Sequence, residues 1–175
     1  RHSWMAQEVT QDTADLAQIG NMAQKYSGIP AGEIDAWKKA TAEAMADTRR
    51  KMQTLVSVVA DASDPNNRYA LYNIWGMVSD MTSDVRAKLA GLAEQANMAT
   101  SAQKPAAWGQ YWQTARQLWD ERNTKVSALL ESSAAAIARG EDFTPNVKQW
   151  DILERAAQVN EQKLWDTLRL EPGAG

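Results

Sequence analysis

Apolar side chains recur at intervals of three and four residues along most of this chain, and that spacing leaves little choice of fold. The cleanest run is Leu71, Ile74, Val78, Met81, Val85, Leu89, Leu92, Ala96 and Ala99. Threes and fours alternate through it, which places these residues on one face of a helix. No segment shows the every-second-residue alternation of a half-buried strand. The expected class is all-α.

The breaks set the helix boundaries. Residues 3–26 carry Met5, Val9, Leu16, Ile19, Ala23 and Tyr26. Gly28 and Pro30 then stop the helix, because a glycine takes the left-handed cap and a proline cannot continue the ladder. Residues 31–62 carry Ile34, Trp37, Thr41, Ala44, Thr48, Met52, Leu55, Val59 and Ala62. Asp64 and Pro65 give the start signals for a third helix over 65–99. Within it, Thr82-Ser83-Asp84 offers a restart cap and so a kink. Pro105 opens a helix over 105–139 that Gly140 ends, and Thr144-Pro145 opens another over 145–170. Residues 171–175 form a short Pro/Gly tail. Short turns between long helices make antiparallel neighbours. The expected architecture is a single domain over 1–170, an elongated antiparallel helical bundle of about five helices.

The core available to such a bundle is unusual. Of 175 residues, 30 are Ala and only 28 are Leu, Ile, Val or Phe. That aliphatic share falls below the roughly 20 % at which disorder is suspected. Disorder also requires a high net charge, and here it is −3. The chain holds 8 Trp and 7 Met. Each Trp can bury about 150–250 Å², so an aromatic-filled, Ala-lined core is expected.

Most site chemistries have nothing to work with. There is no Cys, and the lone histidine, His2, sits at an end expected to fray. The Glu-x-x-His pairs of di-iron bundles, the HExxH zinc motif, the Walker loop and the CxxCH haem attachment are all missing. The carboxylate pairs Glu43/Asp47 and Asp120/Glu121 lie near Lys51 and Lys125, which suits ordinary surface ion pairs. No enzyme activity, cofactor or metal is expected. The basic residues are scattered, with Arg49-Arg50-Lys51 the only run, so no nucleic-acid footprint is expected. No apolar stretch approaches the roughly 18–20 residues of a membrane span. The lack of Cys and the opening on Arg1 tilt the expectation towards an extracytoplasmic location, periplasmic or secreted, with an upstream targeting segment removed.

The fourth helix draws attention. Trp108, Tyr111, Trp112 and Trp119 cover one side of its first turns, and Trp75, with Tyr69 and Tyr72, forms a second aromatic group on the third helix. Such residues either fill a core against small neighbours or form an interface that pairs apolar bodies with polar handles. Trp4, Trp37 and Trp165 sit where an outward position fits, and Met22, Met45, Met77 and Met98 lie beside their stripes. Arg122 falls on the apolar stripe itself, one turn after Trp119. Either its stem packs while the guanidinium reaches water, or it anchors an anionic ligand or a partner's carboxylate.

The Ala/Gln-rich helices with a Gln103-Lys104-Pro105 break before the aromatic helix resemble phasins, proteins that coat polyester granules, over roughly Leu89 to Ser133. Bundles of this size are also similar to the periplasmic sensor domains of chemoreceptors and sensor kinases. The first expectation is a non-enzymatic interaction module. It binds a protein partner or a second copy through an aromatic and Met-rich face, using Trp75, Trp108, Tyr111, Trp112, Trp119 and Arg122. The second is a sensor or secretion-system bundle that takes a small ligand between its helices. The third, implied by the phasin resemblance, is a coat on a granule or lipid surface.

Overall fold

The structure, a computed structural model, describes the backbone of residues 3–61 and 67–141 and the side chains of 11–61 and 70–141. It comprises four helices: α1 (Ser3–Ser27), α2 (Ala31–Asp61), α3 (Asn67–Met98) and α4 (Lys104–Ala138). Their ends fall within two residues of the boundaries read from the breaks. No strand occurs among the described residues. The helix expected over 145–170, the tail 171–175, and the side chains of Trp4, Tyr69 and Trp165 lie outside the described residues.

Two glycines close helices as their positions demand. Gly28 has φ +64° and Gly140 has φ +73°, the left-handed region that L side chains enter only at a cost. The Pro30 carbonyl then accepts from the backbone N–H groups of Glu33 and Ile34, starting α2. A Cβ on Gly28 would meet nothing within 4 Å, so the backbone alone resists substitution. Gly28→Ala should cost about 1–2 kcal/mol, read as a lower denaturant midpoint at unchanged slope. An unmoved midpoint would count against that strain. Gly20 has a different reason to be small. A Cβ there would lie 2.8 Å from Cγ2 of the buried Ile34, so α1 crosses α2 at this glycine.

The registers give an up-down-up-down bundle. Tyr26 of α1 stacks on Trp108 at the start of α4, while Asp12 meets Arg122 further along, so these helices are antiparallel. Trp37 of α2 meets Trp112 and Lys51 meets Glu131, so α2 runs parallel to α4. Among the described residues, α4 packs on α1, α2 and α3, whereas the backbones of α1 and α3 stay apart. The bundle has therefore closed on its α2–α4 diagonal, with α1 and α3 on the flanks. At 1.5 Å per residue, α4 is about 50 Å long.

Two apolar clusters fill the interior. One joins Leu16, Ile19, Ala23, Ile34, Met45, Val85 and Leu89 to the aromatic side chains of α4. The other joins Met52, Leu55, Val59, Ile74 and Val78 to Val126, Leu130 and Ile137. The periodic stripes hold with local rotations, since Met45 is buried beside the expected Ala44 and Leu130 beside the expected Leu129. The restart at Thr82-Ser83-Asp84 does not occur, and α3 runs through it as one helix. The Thr82 hydroxyl bonds back to the Val78 carbonyl at 3.1 Å, one turn earlier, instead of capping a new start.

Candidate functional site

A helix that packs on three others buries a wide face, and α4 does so. Trp108, Tyr111, Trp112, Ala115, Trp119, Arg122, Asn123 and Val126 are all buried. Trp108 is 1 % exposed, and Trp112 and Trp119 are fully covered. Each ring faces a specific neighbour. Trp108 stacks on Tyr26 (5.2 Å, 16°) and meets Tyr111 edge-on (5.2 Å, 76°). Trp112 meets Trp37 edge-on at 4.9 Å, with the Arg116 guanidinium 5.4 Å from its ring. The indole N–H groups of Trp108, Trp112 and Trp119 have no hydrogen-bond partner. Their contribution is therefore packing alone, set against an unpaired donor of about 1–3 kcal/mol each.

The expected site residues thus lie mostly inside the chain's own bundle. Trp108, Tyr111, Trp112, Trp119 and Arg122 are covered by α1, α2 and α3. Trp75 is half-buried and lines a void of about 50 Å³ with Met45, Met52, Val78 and Arg122. Of the residues expected to lean outwards or to lie beside their stripes, Trp37, Met22 and Met77 are half-buried, Met45 is buried and Met98 is exposed (76 %); Tyr72, grouped with Trp75, is exposed as well (71 %).

The structure corrects one expectation for Arg122: its guanidinium does not reach water. It is buried, donates to Thr82 Oγ1 at 3.1 Å and to Asn123 Oδ1 at 2.7 Å, and faces Asp12 Oδ2 at 3.7 Å. It also lies 5.6 Å from the Trp119 ring. The counter-charge comes from α1 of the same chain, because desolvating a guanidinium is tolerable only when it is neutralised and hydrogen-bonded.

Arg86 of α3 completes the polar layer. Its Nη2 donates to Asp12 Oδ1 and its Nε to Asp15 Oδ2, both at 2.7 Å. Two arginines and two aspartates therefore tie α1, α3 and α4 together at mid-height, across the gap that the backbones of α1 and α3 leave open. The sequence reading missed Asp12, Asp15, Arg86, Thr82 and Asn123.

Beside this layer the gap becomes a cleft of about 310 Å³. Gln11, Asp15, Gln18, Ile19 and Met22 line it from α1, and Arg86, Leu89, Ala90, Ala93 and Asn97 from α3. Trp108, Tyr111 and Trp119 form its floor. Of these three, Tyr111 keeps the most surface, at 7 %. Burial, and then the Asp15 charge, push the Tyr111 hydroxyl pKa up to about 12. The cleft joins apolar walls to a carboxylate, a neutralised guanidinium and amides, which suits reversible binding of an amphipathic molecule.

Among the described residues there is no group of three or more His, Asp or Glu able to hold a metal, and no helix is long and apolar enough to cross a membrane. The chain matches no known protein family, and no similar curated protein or solved structure was found.

Proposed function

We propose that this chain is a non-enzymatic binding bundle that takes a small, partly apolar molecule in the cleft between α1 and α3. One observation carries this reading: the flanking helices stand apart over a floor of aromatic side chains, leaving about 310 Å³. Small-molecule sites begin at roughly 300 Å³ and combine mostly apolar walls with a few placed polar groups. The alternative, in which the aromatic residues grip a protein partner directly, has less surface to act through, since Trp108, Trp112 and Trp119 are buried within the bundle. A granule or lipid coat would require the helices to part and turn these side chains outwards.

A thermal-shift screen against a broad metabolite panel tests the reading. A ligand present at a hundredfold over its Kd adds about 2.7 kcal/mol of stability. For a chain of this size that corresponds to roughly 5–10 °C in Tm. Ala90→Trp, which fills the cleft from its half-buried α3 wall, should abolish the shift. Silence across the panel, or a shift that survives in Ala90→Trp, would contradict the cleft as the binding site.

A further inference from the structure

We infer that the molecule this cleft takes is an organic cation, an ammonium group on an apolar body, held between the Asp15 carboxylate and the Tyr111 hydroxyl. The inference rests on the cleft reading above and adds the chemical class of its ligand.

The charges in the cleft are unequally committed. Arg86 already places Nε and Nη2 on two carboxylates at 2.7 Å each. An anion entering the cleft meets a guanidinium whose charge two carboxylates already neutralise. Asp15 is committed through Oδ2 only, and its side chain keeps 28 % of its surface. A carboxylate can accept several hydrogen bonds, so Oδ1 retains capacity for a donor.

Tyr111 lines the same cleft as Asp15. Its hydroxyl is held in the neutral form by burial first and then by the Asp15 charge acting through space. A cation placed between them meets a carboxylate that keeps one oxygen for a donor. No hydrogen bond joins the Tyr111 hydroxyl to Asp15, so an N–H donor finds two oxygen acceptors not already satisfied by each other.

The aromatic surroundings fit the same class. Ammonium groups are attracted to the faces of Tyr and Trp rings. Trp108, Tyr111 and Trp119 supply such rings at the cleft floor. Ile19, Met22 and Leu89 provide the walls for the apolar body.

Three probes that share one body test the inference: phenethylammonium, 2-phenylethanol and 3-phenylpropanoate, each titrated into the full chain by calorimetry. Phenethylammonium should bind roughly 10- to 100-fold more tightly than the alcohol, the span of one charge-assisted hydrogen bond, with the carboxylate weakest. Asp15→Asn should remove that advantage and leave the alcohol unchanged. Because Asp15→Asn also loosens Arg86, Tyr111→Phe serves as a second variant, and it should weaken the ammonium alone. Equal binding of all three probes, preference for the carboxylate, or indifference of the ammonium to both variants overturns the inference. If the alcohol or carboxylate binds and Ala90→Trp abolishes it, the cleft reading stands and the cation falls. If no probe binds, the cation inference fails, and the metabolite panel still decides the cleft.

Discussion

Asp12→Ala should destabilise the folded chain by about 3–5 kcal/mol, because it takes a counter-charge away from a buried guanidinium. Arg122 is 5 % exposed and has no water to fall back on. Two of its other partners, the Thr82 hydroxyl and the Asn123 amide oxygen, are neutral. Arg86 loses one of its two carboxylates at the same time but keeps Asp15. Against a total stability of roughly 5–15 kcal/mol, such a loss is visible in any urea titration. A double variant separates the lost counter-charge from a loss of packing. Asp12→Leu combined with Arg122→Met removes both charges and keeps apolar volume, and a buried pair exchanged this way is often neutral or stabilising. The double variant should therefore unfold at a higher urea concentration than Asp12→Ala. If Asp12→Ala costs less than about 1 kcal/mol, the guanidinium has found water and the buried layer does not exist as described.

Trp112→Ala should cost a similar amount, about 3–5 kcal/mol, for a different reason. The ring is fully covered, meets Trp37 at 4.9 Å and lies under the Arg116 guanidinium. Its indole N–H is unpaired, so truncation removes no hydrogen bond, and the lost packing outweighs the relief of that donor. For a chain of this length the melting point should fall by roughly 6–20 °C. Trp112→Phe, which restores much of the volume, should recover most of it. A melt unchanged by Trp112→Ala would mean that the side chain is not in the core and would return it to the role of an exposed anchor.

Much of this architecture was legible in the sequence. Helix ends followed from Gly28, Pro30, Pro105 and Gly140, because those residues act through local backbone geometry. The polar layer was half legible. Arg122 stood out on an apolar stripe, yet Asp12 occupies the matching position on α1, between Val9 and Leu16 in the same three–four spacing. Two opposite charges on the core stripes of two helices are a signal for a buried pair. The aromatic cluster was legible as residues but not as a place. Whether Trp108, Trp112 and Trp119 face a neighbour or a partner depends on how many helices surround α4, and α4 turned out to be flanked by three. The cleft was not legible at all. A four-helix bundle can close on either diagonal, and closure on α2–α4 opens the space between α1 and α3. That choice rests on summed packing across the bundle, which no single stripe reveals.

The account stands on the aromatic side chains of α4 being interior, so that binding is left to the cleft. The most direct test is solvent hydrogen exchange at the indole N–H groups, resolved residue by residue with ¹⁵N-labelled tryptophan and assigned by substitution. Trp108, Trp112 and Trp119 should exchange more than about a thousandfold slower than free indole, because each must wait for the bundle to open. Exchange of these three at the free rate would place them on the surface and contradict the account.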